Sequence, residues 1–227
     1  MSWILLTIIS AITGSLTILL QKVLLKNERS NPFAFGFIFQ LLVAFLFFSY
    51  VVVTKTFEFP DLSSVWVNIV LIFLGVVSVD YNRSKWKINK GHIFAFLGAM
   101  LFGLAFTNDA YIIGKYRSIS SYMALAFLLP SIGIILLSPK SIKKVKYYFS
   151  FKTIGKLLLA GIFYSLSAIT IFTAYKNGGQ ASIIAPIQRT SVILTVVLSY
   201  VYLNERKKVG NKIIGMVLTV VGALLLI

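Results

Sequence analysis

Long apolar runs alternate along the chain with short polar or basic stretches. A helix crosses a bilayer in about 20 residues. Eight runs approach that length: 3–25, 33–54, 65–80, 92–113, 119–138, 153–175, 182–203 and 210–227. None shows the two-residue alternation of a transmembrane barrel strand. Backbone in lipid must satisfy its own hydrogen bonds, so each run is expected to be a helix. The third run is short and is followed at once by Asp80. It either crosses a locally thinned bilayer or lies partly in the interface. The predicted fold is an all-α membrane protein, a polytopic bundle of about eight transmembrane helices.

Composition narrows the class further. Of 227 residues, 58% are hydrophobic and 12% charged, and mean hydropathy is +0.90. Soluble domains usually carry about 25% charged residues. A water-soluble fold of this size cannot hide so much apolar surface. Soluble enzymes, disordered chains and nucleic-acid-binding proteins are excluded together. No cysteine is present, which removes disulfides, Cys-ligated zinc, iron–sulfur clusters and thiol catalysis. The stretch from Trp3 to Leu20 has no basic leader and no small-residue cleavage site, so it is expected to stay as the first span.

Charge sets the orientation. The net charge is +16, from 22 Lys and Arg against 6 Asp and Glu. Residues 22–29, 83–90, 140–156 and 206–212 hold 17 of the basic residues; the alternate loops at 55, 115–117 and 176 hold 4. The richer side is expected to be cytoplasmic. Eight spans then place both termini outside; seven place the N-terminus inside and the C-terminus outside. Contact with lipid headgroups is a second use for the same side chains. Asn82-Arg83-Ser84 matches a glycosylation sequon, but its basic neighbourhood puts it on the cytoplasmic side, and the match is read as chance.

Little in the sequence looks catalytic. There is no phosphate loop ending in GK[ST], no HExxH and no GxSxG. No catalytic residue, metal site or cofactor is assigned. His92, at a span's edge beside Gly91, is read as an interfacial polar residue. Two ionisable residues lie within spans: Asp109, in Thr107-Asn108-Asp109-Ala110-Tyr111, and Arg189, in Ala185-Pro186-Ile187-Gln188-Arg189-Thr190-Ser191. Charges in lipid are costly and face a cavity or a partner. At about 1.5 Å per residue they lie roughly 8 and 12 Å from the same membrane face. They form an ion pair or share a polar cavity, or else Asp109 reaches up to the interface. Pro186 either breaks a helix that lines a site or sits harmlessly in a first turn. Small residues at packing intervals, such as Ser10 with Gly14 and Gly161 with Ser165 and Ala168, let helices approach closely. Tyr111, Tyr164 and Tyr175 line a cavity or belong to the core and the aromatic belt.

The C-terminal part carries a resemblance. It reads Ala174-Tyr175-Lys176-Asn177-Gly178-Gly179-Gln180-Ala181-Ser182-Ile183-Ile184-Ala185-Pro186. An apolar helix follows to Leu203-Asn204-Glu205-Arg206, and then come Gly215 and Gly222. This resembles the closing helices of an EamA-type repeat of the drug/metabolite transporter (DMT) superfamily. Ala11-Ile12-Thr13-Gly14-Ser15 with Lys22, then Asn31-Pro32-Phe33, is similar to that family's opening helices. The family commonly has two inverted repeats of five helices. Here residues 91–227 fit a full five-helix repeat. Residues 1–90 fit a shortened repeat of three, lacking its third and fourth helices.

The resemblance implies a multi-pass secondary transporter in a bacterial plasma membrane. It would move a small metabolite or drug-like solute by alternating access, coupled to a proton or a counter-substrate. The cavity is expected at mid-depth between the repeats. Arg189 and Gln188 are the expected solute contacts, with Asn108 and Asp109 opposite and Tyr111 and Tyr164 lining. Arg189 suits a carboxylate or phosphate on the solute, and Asp109 is the deep proton carrier. The missing helices motivate another reading, a non-transporting membrane scaffold or partner subunit. A homodimer would restore a closed bundle. An intramembrane enzyme lacks the acid, base or nucleophile clusters it needs.

Overall fold

Apolar runs become helices wherever a capping residue marks their start. In the computed structural model, residues 2–26, 30–58, 101, 104–105, 108–113 and 118–203 are described, apart from the side chains of Leu137, Pro186 and Arg189. The expected spans at 65–80 and 210–227, and most of 92–113, lie outside the described residues, as does His92. Helix α1 is Trp3–Leu25, with Ser2 accepting the Leu5 N–H at 3.3 Å. Helix α2 is Pro32–Thr54, with Asn31 as its cap and proline in the first turn, the position where its missing N–H costs nothing. Helix α3 is Ile119–Leu137, capped by Ser118, whose hydroxyl accepts the Ser121 N–H. Helix α4 is Phe151–Lys176. These four are long and apolar enough to cross a membrane, and no strand occurs among the described residues.

Two stretches differ from expectation. The loop between α3 and α4 is a 3-10 helix, Pro139–Phe149. The run 182–203, expected as one span, is two helices, α5 (Ala181–Arg189) and α6 (Ser191–Leu203), which meet at Thr190. The break itself is the three-residue turn that closes α5 at Thr190. Pro186 has no N–H to give the Ser182 carbonyl. The Thr190 N–H turns to the Ile187 carbonyl at 3.1 Å, three residues back. Helix α5 starts at Ala181, so Pro186 stands beyond the first turn, and the harmless first-turn placement does not hold.

The helices alternate in direction. At the end where α1 begins, the near end, the Glu58 carboxylate accepts the Ser118 N–H at 2.9 Å. The Ser121 hydroxyl there donates to the Thr56 carbonyl at 3.2 Å. Both contacts tie the exit of α2 to the start of α3. At the far end the Tyr148 hydroxyl accepts the Asn31 N–H at 3.2 Å and lies 3.3 Å from its carbonyl, which fixes the 3-10 helix beside the start of α2. Helix α4 ends at the near end in a Schellman turn. Gly178 takes φ +86°, its N–H bonds the Tyr175 carbonyl, and the Gly179 N–H bonds the Ala174 carbonyl.

The core lies where α4 meets α1 on one side and α2 and α3 on the other. Aromatic rings fill the second contact. Tyr164 stands edge-on to both Phe39 and Phe127, at 5.4 and 5.2 Å between centroids. Tyr122 stands edge-on to Phe172. Gly161 makes the approach of α2 possible, because a Cβ there would sit 2.8 Å from Leu42 Cδ2. Outward-facing Phe45, Val53 and Leu136 are largely exposed, as lipid-facing side chains are.

Candidate functional site

The buried face of α1 carries five hydroxyls. Thr7, Ser10, Thr13, Ser15 and Thr17 are all buried. Four of these hydroxyls bond carbonyls of their own helix: Thr7 to Trp3, Thr13 to Ile9, Ser15 to Ala11 and Thr17 to Thr13. Ser10 instead reaches α4. Its hydroxyl donates to the Ser167 carbonyl at 2.8 Å, and the Ser167 hydroxyl donates back to the Ser10 carbonyl at 2.9 Å. The two hydroxyl oxygens are 3.0 Å apart. In lipid, where apolar burial does not drive helix association, such pairs and close backbones hold the interface.

The same face carries the broken helix. Gln188 Nε2 donates to Ser10 Oγ at 3.3 Å, just before the break. Ser15 Oγ donates to the Ser191 carbonyl at 2.9 Å, just after it. Lys22 Nζ donates to Ser199 Oγ at 3.0 Å, near the far end. Helix α1 therefore runs parallel to α5 and α6 and bonds on both sides of Thr190.

Asp109 occupies the other side of α4. It lies in the helical residues 108–113 and accepts a short hydrogen bond from the Tyr122 hydroxyl of α3. Tyr122 lies in the first turn of α3, so Asp109 belongs to the near-end half of the bundle.

The residues expected in the site fall into two groups. Gln188 joins the serine seam. Asp109 and Tyr164 share the aromatic side, and the adjoining Asn108 is partly buried. Tyr111 points outward, 59% exposed. The backbone of Arg189 closes α5; its side chain lies outside the described residues. Sequence reasoning missed Ser167, Ser191 and Tyr122 as polar partners. Serine and tyrosine are too common in such helices to stand out without a known neighbour. Gln40 Oε1 and Ser165 Oγ are buried with no hydrogen-bond partner among the described residues. Buried polar atoms are ordinarily paired, so these two are exceptions among the described residues. Among the described residues no cluster of three or more His, Asp or Glu could hold a metal ion.

The arrangement sets hydroxyls, an amide and one carboxyl inside an apolar bundle. A search of curated proteins gives no match for this chain. The model of the EamA-like transporter family matches residues 89–227, which span α3 to α6 and the serine, glutamine and tyrosine partners just described. This is a family of membrane transporters, not of enzymes. The chain is thus an integral helical membrane protein that belongs to the EamA-like transporter family, within the drug/metabolite transporter superfamily.

Proposed function

We propose that this chain is a secondary transporter moving a small metabolite or drug-like solute by alternating access, in a bacterial plasma membrane. The observation that carries the reading is the break at Thr190. It interrupts an apolar helix within its span, directly after Gln188 and Arg189. Interrupted helices line the solute sites of many transporter folds, because an unwound turn exposes backbone groups only where a cavity or a neighbour satisfies them. Gln188 and Arg189 supply polar contacts there, and Arg189 suits a carboxylate or phosphate on the solute. Asp109, which accepts from the Tyr122 hydroxyl, is the group able to carry a proton. Asn108, Tyr111 and Tyr164 complete the expected lining. The two repeats would be inverted and unequal, 1–90 and 91–227, and a second copy would supply the helices that the first repeat lacks.

The absence of cysteine makes a clean test available. Single cysteines at 108, 109, 188 and 189 are introduced in intact cells and exposed to a membrane-impermeant thiol reagent, with permeabilised cells as control. Labelling at these mid-span positions is the expected result, and it reveals the side to which the cavity opens. Folded protein that labels in neither preparation has a dry core, and the scaffold reading replaces transport. In the same strains, Arg189→Ala that leaves the flux of every responsive solute unchanged removes Arg189 from the site.

A further inference from the structure

The 3-10 helix at the far end is a charged platform held rigidly against the bundle. Ser141, Val145 and Tyr148 are its buried positions. Tyr148 is anchored by its hydroxyl to Asn31 and by its ring to Phe35, 5.7 Å between centroids. The other face is basic. Lys140, Lys143, Lys144 and Lys146 are all exposed. Not one acidic residue occurs between Asp109 and Glu205 to neutralise them. Beside these lysines two aromatic rings stand out of the fold, Phe149 at 60% and Phe151 at 98% exposure.

A soluble loop gains nothing by exposing two phenylalanines. This segment, however, joins the end of one apolar helix to the start of another, α3 to α4. It therefore lies at the level of the membrane surface. Lysines that reach headgroups beside rings that enter the acyl boundary are the make-up of an interfacial anchor on anionic lipid. Zwitterionic lipid offers the rings the same apolar boundary but leaves the lysines without a counter-charge. We propose that the face carrying Lys140, Lys143, Lys144, Lys146, Phe149 and Phe151 is a docking surface for anionic phospholipid headgroups, which gather around this end of the protein. The inference does not depend on the transport reading.

The test uses the full chain reconstituted in vesicles. A single cysteine at Phe149, or independently at Ile142, which is exposed on the same segment, carries an environment-sensitive fluorophore. Quenching by nitroxide-labelled phosphatidylglycerol is compared with quenching by nitroxide-labelled phosphatidylcholine at equal mole fraction. The expected result is stronger quenching by phosphatidylglycerol, falling as salt rises, with each lysine worth about fivefold in lipid preference at low ionic strength. Replacing the four lysines with glutamine should abolish the preference while quenching by phosphatidylcholine persists. A label at Phe57, exposed at the near end, should show no preference. Equal quenching by both lipids, or a preference that survives the glutamine variant, overturns the proposal. So does quenching by neither lipid, which would leave the face clear of the bilayer and open to a soluble partner.

Discussion

Ser10→Ala is the sharpest perturbation of the α1–α4 interface. The substitution removes two hydrogen bonds of one oxygen: its donation to the Ser167 carbonyl at 2.8 Å and its acceptance from Gln188 at 3.3 Å. Ser10 is fully buried, so no water replaces them. Interhelical hydrogen bonds in membranes are worth about 0.6 kcal/mol on average and roughly 1.7 at most. One short bond and one long one together give about 1 kcal/mol. Ser167→Ala removes its own bond to the Ser10 carbonyl, or about 0.6 kcal/mol. Each bond holds the two backbones in register for the other, with the hydroxyl oxygens 3.0 Å apart, so the double variant should cost less than the sum by about 0.5 kcal/mol. The assay is reversible unfolding of the full chain in bicelles by steric trapping. Strict additivity of the two substitutions would falsify the reciprocal serine pair as the clamp between α1 and α4.

Other predictions concern single caps and anchors. Gly178→Ala should cost about 1 kcal/mol in the same unfolding assay, because φ +86° suits glycine and strains a side chain; Gly178→Asn should cost less. Tyr122→Phe takes a donor from Asp109 and should destabilise by about 1–3 kcal/mol; in the Asp109→Asn background the loss should shrink. Tyr148→Phe keeps the ring but removes both contacts with Asn31, for about 1 kcal/mol. Burial holds the Tyr148 hydroxyl above its ordinary 10.0, so the folded state favours the neutral form. The wild-type advantage over Tyr148→Phe should therefore be constant below about pH 10 and decline above it. A difference that grows with alkalinity would contradict that burial.

The four long spans were legible because their signals are redundant. The expected 3–25, 33–54, 119–138 and 153–175 agree with α1 to α4 within two residues at each boundary. Apolar length, a polar cap and a following basic or glycine turn all point the same way. The 3-10 helix was not legible, since four lysines in eleven residues read as a solvated loop, and its order comes from Tyr148 meeting Asn31 across 117 positions. The break at Thr190 was half legible: Pro186 announced it, but only the start of α5 at Ala181 separates an interior proline from a first-turn one. For the site, residue chemistry pointed to Asp109 and Gln188. Their partners, Tyr122 and Ser10, depend on how helices far apart in sequence turn toward one another, which periodicity alone does not fix.

The hydroxyl pattern of α1 has a consequence for how the protein is made. The partners of Ser10 stand 157 and 178 residues later in the chain. At roughly 5–20 residues per second, α1 waits about 10–30 s before they are synthesised. During that delay it sits in the bilayer without them. Thr7, Thr13, Ser15 and Thr17 already have acceptors within their own helix, so their hydroxyls need no partner to remain in lipid. Ser10 alone among them has its bonds only to later helices. The first helix is thus built to persist as a newcomer, with one vacancy that only the completed second half of the chain can fill.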